Sequence, residues 1–369
     1  MSSHLTDAGI LQHVFTFLPG NWLYLGAVCS EWKAVYACME DQQVCSLSLY
    51  GNKVVVVYGP KTTLHSAAVA SPATARLARD LGLRVTTDSL QLMAGRHADI
   101  QTLAVLRERG MPLSDTVVNT VALSGRLNIL KYLITEQQCP IPELLSHYAA
   151  RSGSISMLNW LDEENLSERE LVLTCTGAAA GGQLAALQHL VSRDYHWDED
   201  YIACYAASSG SIDVIDWLRQ QEGIVIDAEA MSFAAGAGHI AMCQYLRSIG
   251  CDWDSSACGC AAGTGHLDVL RWLRDNGCPW NVSEVCTNAA ASEFTDILDY
   301  VIEQGEVLDA ELLTRALNTA GSRNRLQAAQ WLRQHGAQWP AVLMCRARQW
   351  NDDMIVWARA EGCTSPVTL

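Results

Sequence analysis

Hydrophobic and polar positions recur along this chain in a fixed order. GHLDVLRWLRDNGCPW, ending at Trp280, aligns without a gap to GHIAMCQYLRSIGCDW, ending at Trp253. Both read Gly-His, an aliphatic, two further apolar positions, an aromatic-Leu-Arg, then Gly-Cys-x-Trp. Weaker copies run through DIQTLAVLRERG, GRLNILKYLITEQQ, GSISMLNWLDEEN, GGQLAALQHLVSRDYHW and GSIDVIDWLRQQEG, and later through DILDYVIEQG, RLQAAQWLRQHGAQW and DMIVWARAEGC. Gly82, Gly110, Gly223, Gly250, Gly277, Gly305, Gly336 and Gly362 close units; those near 138, 165 and 194 lack that glycine but keep the register. The period is roughly 26 to 31 residues over about eleven units, the range of solenoid repeats.

Each unit predicts two short helices. Leu267, Leu270 and Leu273 fall at i, i+3 and i+6, one helical stripe. Before it lies an alanine-rich segment, such as CGCAAGTG (258–265) or YIACYAASSG (201–210), whose small residues admit a close neighbour. Gly265 and Gly210 are placed to end that first helix in a left-handed cap. Asp198, Asp227, Asp254, Asn281 and Asp309 stand where first helices begin, and Ser167 with Glu170 forms a capping box. A hairpin of roughly 27 residues buries too little apolar area to fold alone, so stacking supplies the core. The fold class read from the pattern is all-α, an α-solenoid of about eleven helix-turn-helix units.

Two resemblances follow from particular residues. TTLHSAA (62–68) resembles the ankyrin signature T-P-L-H-x-A-A, with Thr63 in place of proline, and AAGTGHLDVLRWLRDNGC (261–278) resembles the second half of an ankyrin repeat. The likeness covers about residues 62–369 and is strongest at 230–280. Its units are about six residues shorter than the usual 33 and are similar to the short repeats of algal, oomycete and giant-virus families. The shortening falls on the connection between units, so a compact Gly-Cys-x-Trp-Asp turn is expected where ankyrin proteins project a β-hairpin.

Residues 5–36 do not share the repeat. Leu11, Val14, Phe15 and Leu18 form an apolar helical stripe ending at Pro19 and Gly20, and Val28-Cys29-x-x-Trp32 follows. This segment resembles an F-box, although Leu5-Thr6-Asp7 stands where that family opens with Leu-Pro. The resemblance implies docking on a Skp-type adaptor of a cullin–RING ubiquitin ligase, carried by Leu11, Val14, Phe15, Leu18, Pro19, Val28, Cys29 and Trp32. The alternative is that these helices only cap the open end of the solenoid. Between the parts, VCSLSLY-GN-KVVVVYG (44–59) signals a short β-hairpin, or else a buried connector, placed as a lid on the first repeat. The division expected is an F-box-like segment at 1–42, a connector or hairpin at 43–61 and the repeat solenoid at 62–369.

Charge narrows the partner. Forty Asp and Glu against 25 Lys and Arg give a formal charge of −15, unsuited to a protein that coats nucleic acid. No signal-like N-terminal segment and no run of eighteen apolar residues occurs, so no membrane association is expected and cytosol or nucleus is the default compartment.

Residue types that imitate chemistry fall on repeat positions. Trp160, Trp217, Trp272, Trp331 and Trp357 occupy second helices, and Trp197, Trp253, Trp280 and Trp339 the turns. Such rings could stack bases or sugars, but the acidic charge favours rings that fill the seams between units. Cys251, Cys278 and Cys363 follow closing glycines, while Cys175, Cys204, Cys258 and Cys286 lie in first helices. A one-repeat spacing sets successive sulfurs in successive layers, unlike the paired ligands of zinc sites, so buried reduced thiols are expected. By the ankyrin resemblance, His239 and His266 of the Gly-His corner, and His65, bond backbone across a turn. GPKT (59–62) lacks the phosphate-loop spacing. No catalytic residue, metal ligand or cofactor is assigned. The reading is a non-enzymatic protein-interaction module, a ligase substrate receptor if the F-box resemblance holds and otherwise a scaffold or effector-like binder. Side chains that vary while the scaffold repeats are the expected partner contacts: Tyr201, Tyr205, Ser232, Ser256 and Asn288.

Overall fold

The computed structural model describes residues 44–50, 53–58, 88–108, 110–162, 168–339 and 350–363. Its packing separates two units, Met1–Glu170 and Leu171–Leu369. The F-box-like segment, the TTLHSAA stretch, Ser167 and Gly82 lie outside the described residues.

In the first unit the hairpin expected at 44–59 is formed. Strand β1 (Val44–Tyr50) pairs antiparallel with β2 (Lys53–Tyr58), from Tyr50 opposite Lys53 to Val44 opposite Tyr58, with a register irregularity between Val44 and Ser46. Helix pairs follow: α1 (Asp88–His97) with α2 (Ile100–Glu108), α3 (Asp115–Leu123) with α4 (Leu127–Lys131), and α5 (Leu145–Arg151) with α6 (Ile155–Asp162). First helices pack in succession, α1 on α3 and α3 on α5.

The second unit continues the pattern. Its pairs are α7 (Glu168–Ala180) with α8 (Leu184–Val191), α9 (Ile202–Ser209) with α10 (Ile212–Leu218), α11 (Ala228–Gly236) with α12 (Ile240–Ser248), α13 (Ser255–Thr264) with α14 (Leu267–Asp275), α15 (Val282–Ser292) with α16 (Thr295–Glu303), and α17 (Ala310–Ser322) with α18 (Leu326–Gln334). Helix α19 (Asp352–Ala360) is a further second helix. From α9 to α17 each first helix packs closely on the next, and second helices touch one another more loosely. The fold is an α-solenoid, and β1 and β2 are the only strands among the described residues.

The side chains account for this asymmetry. Ala203, Ala206, Ala207, Ala230, Ala234, Ala235, Ala257, Ala261 and Ala262 on the first helices are fully or almost fully buried, so helix axes approach without large groups between them. Second helices bring the larger apolar stripe, with Val269, Leu270 and Leu273 all at 0% exposure. Each such side chain contributes ~1.5–3 kcal/mol of burial.

Both ends of the hairpin are closed as the spacing required. The side chains of Asp227, Asp254, Asn281 and Asp309 accept from the backbone N–H of Glu229, Ser256, Glu284 and Leu312. Asp198 accepts from Asp200 N–H instead, and its carbonyl receives the Ile202 N–H that starts α9. At the other end Gly250, Gly277, Gly336 and Gly362 take φ of +76° to +101°. The next N–H then reaches back to the last apolar carbonyl, Cys251 to Leu246 and Cys278 to Leu273, closing a Schellman cap.

The units near 138 and 194, which lack the glycine, keep this geometry, and the one near 165 lies outside the described residues. Asp194 holds φ 61°, with Tyr195 N–H on the Leu190 carbonyl. At Gln138, φ 55°, the chain carries one residue more between its Tyr-Leu and its Cys than the 245–251 copy. Tyr132–Glu136 absorbs it as a π-helical turn, so Cys139 N–H still reaches Leu133. A one-residue insertion inside a helix is accommodated by such a bulge.

Candidate functional site

A polar or charged group that a unit needs for its own construction is not free to bind a partner. The repeated side chains divide on that criterion.

The turn tryptophans are construction. Trp253 lies edge-to-face with Trp272 at 6.1 Å, Trp197 with Trp217 at 5.8 Å and Trp280 with Tyr300 at 6.3 Å. Each pair joins a turn to the second helix that follows it. From the preceding unit a guanidinium covers the ring, Arg247 over Trp253 at 4.1 Å and Arg274 over Trp280 at 4.4 Å. Arg247 and Arg274 also donate Nη1 to the Cys251 and Cys278 carbonyls, at 2.5 and 2.8 Å. Arg333, Ala337 and Trp339 repeat the arrangement. The rings fill the seams between units and present no stacking ladder.

The Gly-His corner is construction too, but it works between units rather than within one turn. His239 Nε2 lies 3.1 Å from the Ser208 carbonyl at the end of the preceding first helix. Arg325 bonds the Ala291 carbonyl at 3.1 Å, and Arg126 reaches the Gly95 and Ala98 carbonyls at 3.3 and 2.7 Å. Burial lowers the Arg126 pKa, opposed by the Asp99 carboxylate. At Arg126, His239 and Arg325 the residue after the left-handed cap thus satisfies carbonyls that the previous helix terminus would leave unpaired.

The cysteines are mostly inert. Cys175, Cys204, Cys243 and Cys286 are buried, and desolvation pushes each thiol up to about 12. Cys251 and Cys278 donate to the carbonyls of the helix-starting Asp227 and Asp254, at 3.1 and 3.4 Å. Two sulfurs at different repeat positions also meet: Cys258 and Cys278 share a hydrogen bond that raises the Cys258 pKa. The two members of the C-x-C point apart, Cys258 buried and Cys260 exposed. Among the described residues no three His, Cys, Asp or Glu side chains gather as metal ligands would. None of the described helices is long and apolar enough to cross a membrane.

Exposed rings lie on the first helices. Tyr201 is 46% exposed at the start of α9, and Tyr205 stands one turn on. Phe233, 38% exposed on α11, meets the Tyr205 ring edge-to-face at 5.9 Å. Phe233 occupies the register position of Tyr205 one unit later, and Cys260 and Asn288 continue that column. The register alone could have flagged Phe233, which a residue-by-residue choice of variable positions missed.

The five sequence-derived contacts separate. Tyr201 and Tyr205 share this face. Ser232 is buried, and its hydroxyl donates to the Ala228 carbonyl. Ser256 is half-buried on α13, its backbone N–H taken by Asp254. Asn288 donates Nδ2 to the Gly259 carbonyl of the neighbouring first helix at 3.1 Å. Leu11, Val14, Phe15, Leu18, Pro19, Val28, Cys29 and Trp32 lie outside the described residues.

Charge is distributed as unevenly as aromaticity. Between Arg193 and Arg315 the only Lys or Arg residues are Arg219, Arg247, Arg271 and Arg274, all on second helices or the residue closing one. Over the same span the first helices and the residues leading into them carry Asp198, Glu199, Asp200, Asp227, Glu229, Asp254 and Glu284, with no Lys or Arg. Glu229 and Phe233 are one turn apart on α11 and so share a face.

No family model and no curated protein matches the chain. Among solved structures it is similar to the ankyrin repeat domain of human ASB11, at 16% identity and TM-score 0.28, over 61% of this chain and 99% of that one. It is also similar to the pentatricopeptide repeat protein PPR10 from maize, at 13% identity and TM-score 0.26, over 79% of this chain and half of that one. PPR10 in complex with an 18-nt psaJ RNA element gives 13% identity and TM-score 0.24, over 96% of this chain and 63% of that one. The α-solenoid is defined by the helix succession itself.

Proposed function

We propose that this chain is a non-enzymatic protein-binding module whose first-helix face receives the partner. The observation that carries the reading is the pair of exposed rings Tyr201 and Phe233, with half-buried Tyr205 against Phe233, on a scaffold whose repeated tryptophans are half-buried or buried in seams. Large rings placed over small residues are the side chains that dominate protein–protein affinity. His239 and Cys251 are engaged by backbone carbonyls, and the Cys175 thiol is desolvated.

Residues 5–36 are read as an F-box-like element that docks on a Skp-type adaptor, making the solenoid the substrate-selecting part of a ubiquitin ligase. The support is the V-F-T-F-L-P and V-C-S-E-W-K sequence resemblance.

Two measurements test these statements. A photo-crosslinker at position 233 in the full chain is expected to trap protein from cell extract, and one at Asp268 on the second-helix side is not. Equal trapping at both positions removes the face assignment. Co-purification with a Skp-type adaptor, lost in a Leu18→Asp/Trp32→Ala variant of unchanged helicity, tests the ligase role. Absence of binding by the wild type removes it.

A further inference from the structure

The chemistry of the first-helix face restricts what it can hold. Packing makes its components one surface within the second unit. The Tyr205 ring meets Phe233; a Cβ added at Gly236 would stand 3.3 Å from Cys260, and one at Gly263 would stand 3.5 Å from Asn288. Glu284 lies against Gly259, where an added Cβ would come within 2.6 Å of its carboxylate. The glycines keep the region beside the rings low.

Two exposed rings, Tyr201 and Phe233, with half-buried Tyr205 between them, therefore stand on a surface with carboxylates at Glu229 and Glu284 and at the adjacent helix starts, Asp227 and Asp254. The nearby helix N-termini offset part of this charge, and no guanidinium or ammonium of the same helices offsets the rest. The cations of these repeats are on second helices, where Arg247 and Arg274 are held over tryptophan.

We infer that the first-helix face from Tyr201 to Asn288 takes a cationic segment of a partner protein, one that presents arginine or lysine side chains. This deepens the proposed function and rests on that reading. Guanidinium or ammonium groups stack on Tyr201, Tyr205 and Phe233 while Glu229 and Glu284 supply the counter-charge. Phosphate-bearing ligands meet the same carboxylates with repulsion, so nucleic acid and anionic lipid headgroups do not fit. A second copy of the chain is disfavoured by the net charge of −15 on each partner.

The test uses the full-length chain and a labelled peptide of alternating arginine and glycine, followed by fluorescence anisotropy at low and at physiological salt. The same peptide with glutamate for arginine and a single-stranded oligonucleotide are run beside it. Binding of the arginine peptide alone is expected, weakened roughly three- to ten-fold by Phe233→Ala and by Glu229→Gln, as loss of a cation–π contact or a counter-charge predicts. Asp268→Asn, an exposed carboxylate removed from the second-helix side, is expected to change binding by less than about two-fold. Circular dichroism melting confirms that each variant remains folded.

Equal weakening by Glu229→Gln and Asp268→Asn overturns the inference, because the peptide then responds only to overall charge. Binding of the oligonucleotide, or self-association that Phe233→Ala abolishes, overturns it as well. If position 233 crosslinks a protein while the arginine peptide stays unbound, the binding face stands and the cationic partner falls. If neither occurs, both fail.

Discussion

Arg274 lies over Trp280 with its guanidinium carbon 4.4 Å from the ring centroid, and its Nη1 donates to the Cys278 carbonyl at 2.8 Å. One side chain thus ties the end of α14 to the turn that starts the next unit. Arg274 Nε is buried without a hydrogen-bond partner, which offsets part of the gain. Arg274→Lys keeps the charge but loses the planar stack and the fixed donor geometry. It is expected to cost about 1 kcal/mol, read as a lower urea midpoint at unchanged denaturant slope. A variant as stable as wild type would show that the stacked arrangement carries no energetic weight.

Gly238 has two reasons to be glycine. Its φ is 81°, and a Cβ there would stand 2.5 Å from the His266 ring of the next unit. Gly238→Ala is expected to destabilise by roughly 2–4 kcal/mol, combining about 1–2 for the left-handed backbone with a further packing clash. Gly250→Ala separates the two terms, since φ is 84° there with no neighbour within 4 Å. Thermal melting should rank wild type above Gly250→Ala and Gly250→Ala above Gly238→Ala.

Gln138 and Asp194 occupy glycine positions of the repeat at φ 55° and 61°. Gln138→Gly and Asp194→Gly are each expected to stabilise by about 0.5–1 kcal/mol, the left-handed penalty less the added freedom of the unfolded chain. Paired urea curves check this, and destabilisation by both would mean that those side chains make compensating contacts.

The buried thiols are expected to weaken the fold at alkaline pH. Cys175, Cys204, Cys243 and Cys286 are pushed from 9.0 to about 12 by desolvation. The folded chain retains protons that the unfolded chain releases, so their contribution is whole below pH 9 and is lost as pH rises from there toward 12. The slope reaches at most ~1.4 kcal/mol per pH unit for each thiol. Urea midpoints flat between about pH 8 and about pH 10.5 would contradict this. Thiol labelling at neutral pH should mark Cys260 well before Cys258, one exposed and the other buried.

Local rules carried much of the fold. The helix starts at Asp227, Asp254, Asn281 and Asp309, and the left-handed positions after each helix, depend on side-chain oxygens and glycine backbone within a few residues of where they act. Those were legible in the repeat. So was the hairpin at 44–58, from its β-branched arms and Gly-Asn loop. The identity of the tryptophans as seam residues followed from their recurrence.

What the sequence left open depended on which units touch. His239 was expected to bond across its own turn, but it serves the Ser208 carbonyl 31 residues earlier, because stacking brings that helix terminus alongside. Cys258 and Cys278 stand at different repeat positions, and only the folded hairpin brings them together. Ser232 is variable in the repeat yet buried, because the first helix turns that position against its neighbour. Phe233 became part of a surface only when α11 was set beside α9. Backbone closure and helix periodicity are short-range, and the chain itself determined them. Inter-unit contacts are set by the rise and rotation from one hairpin to the next, and only the tertiary structure decided those.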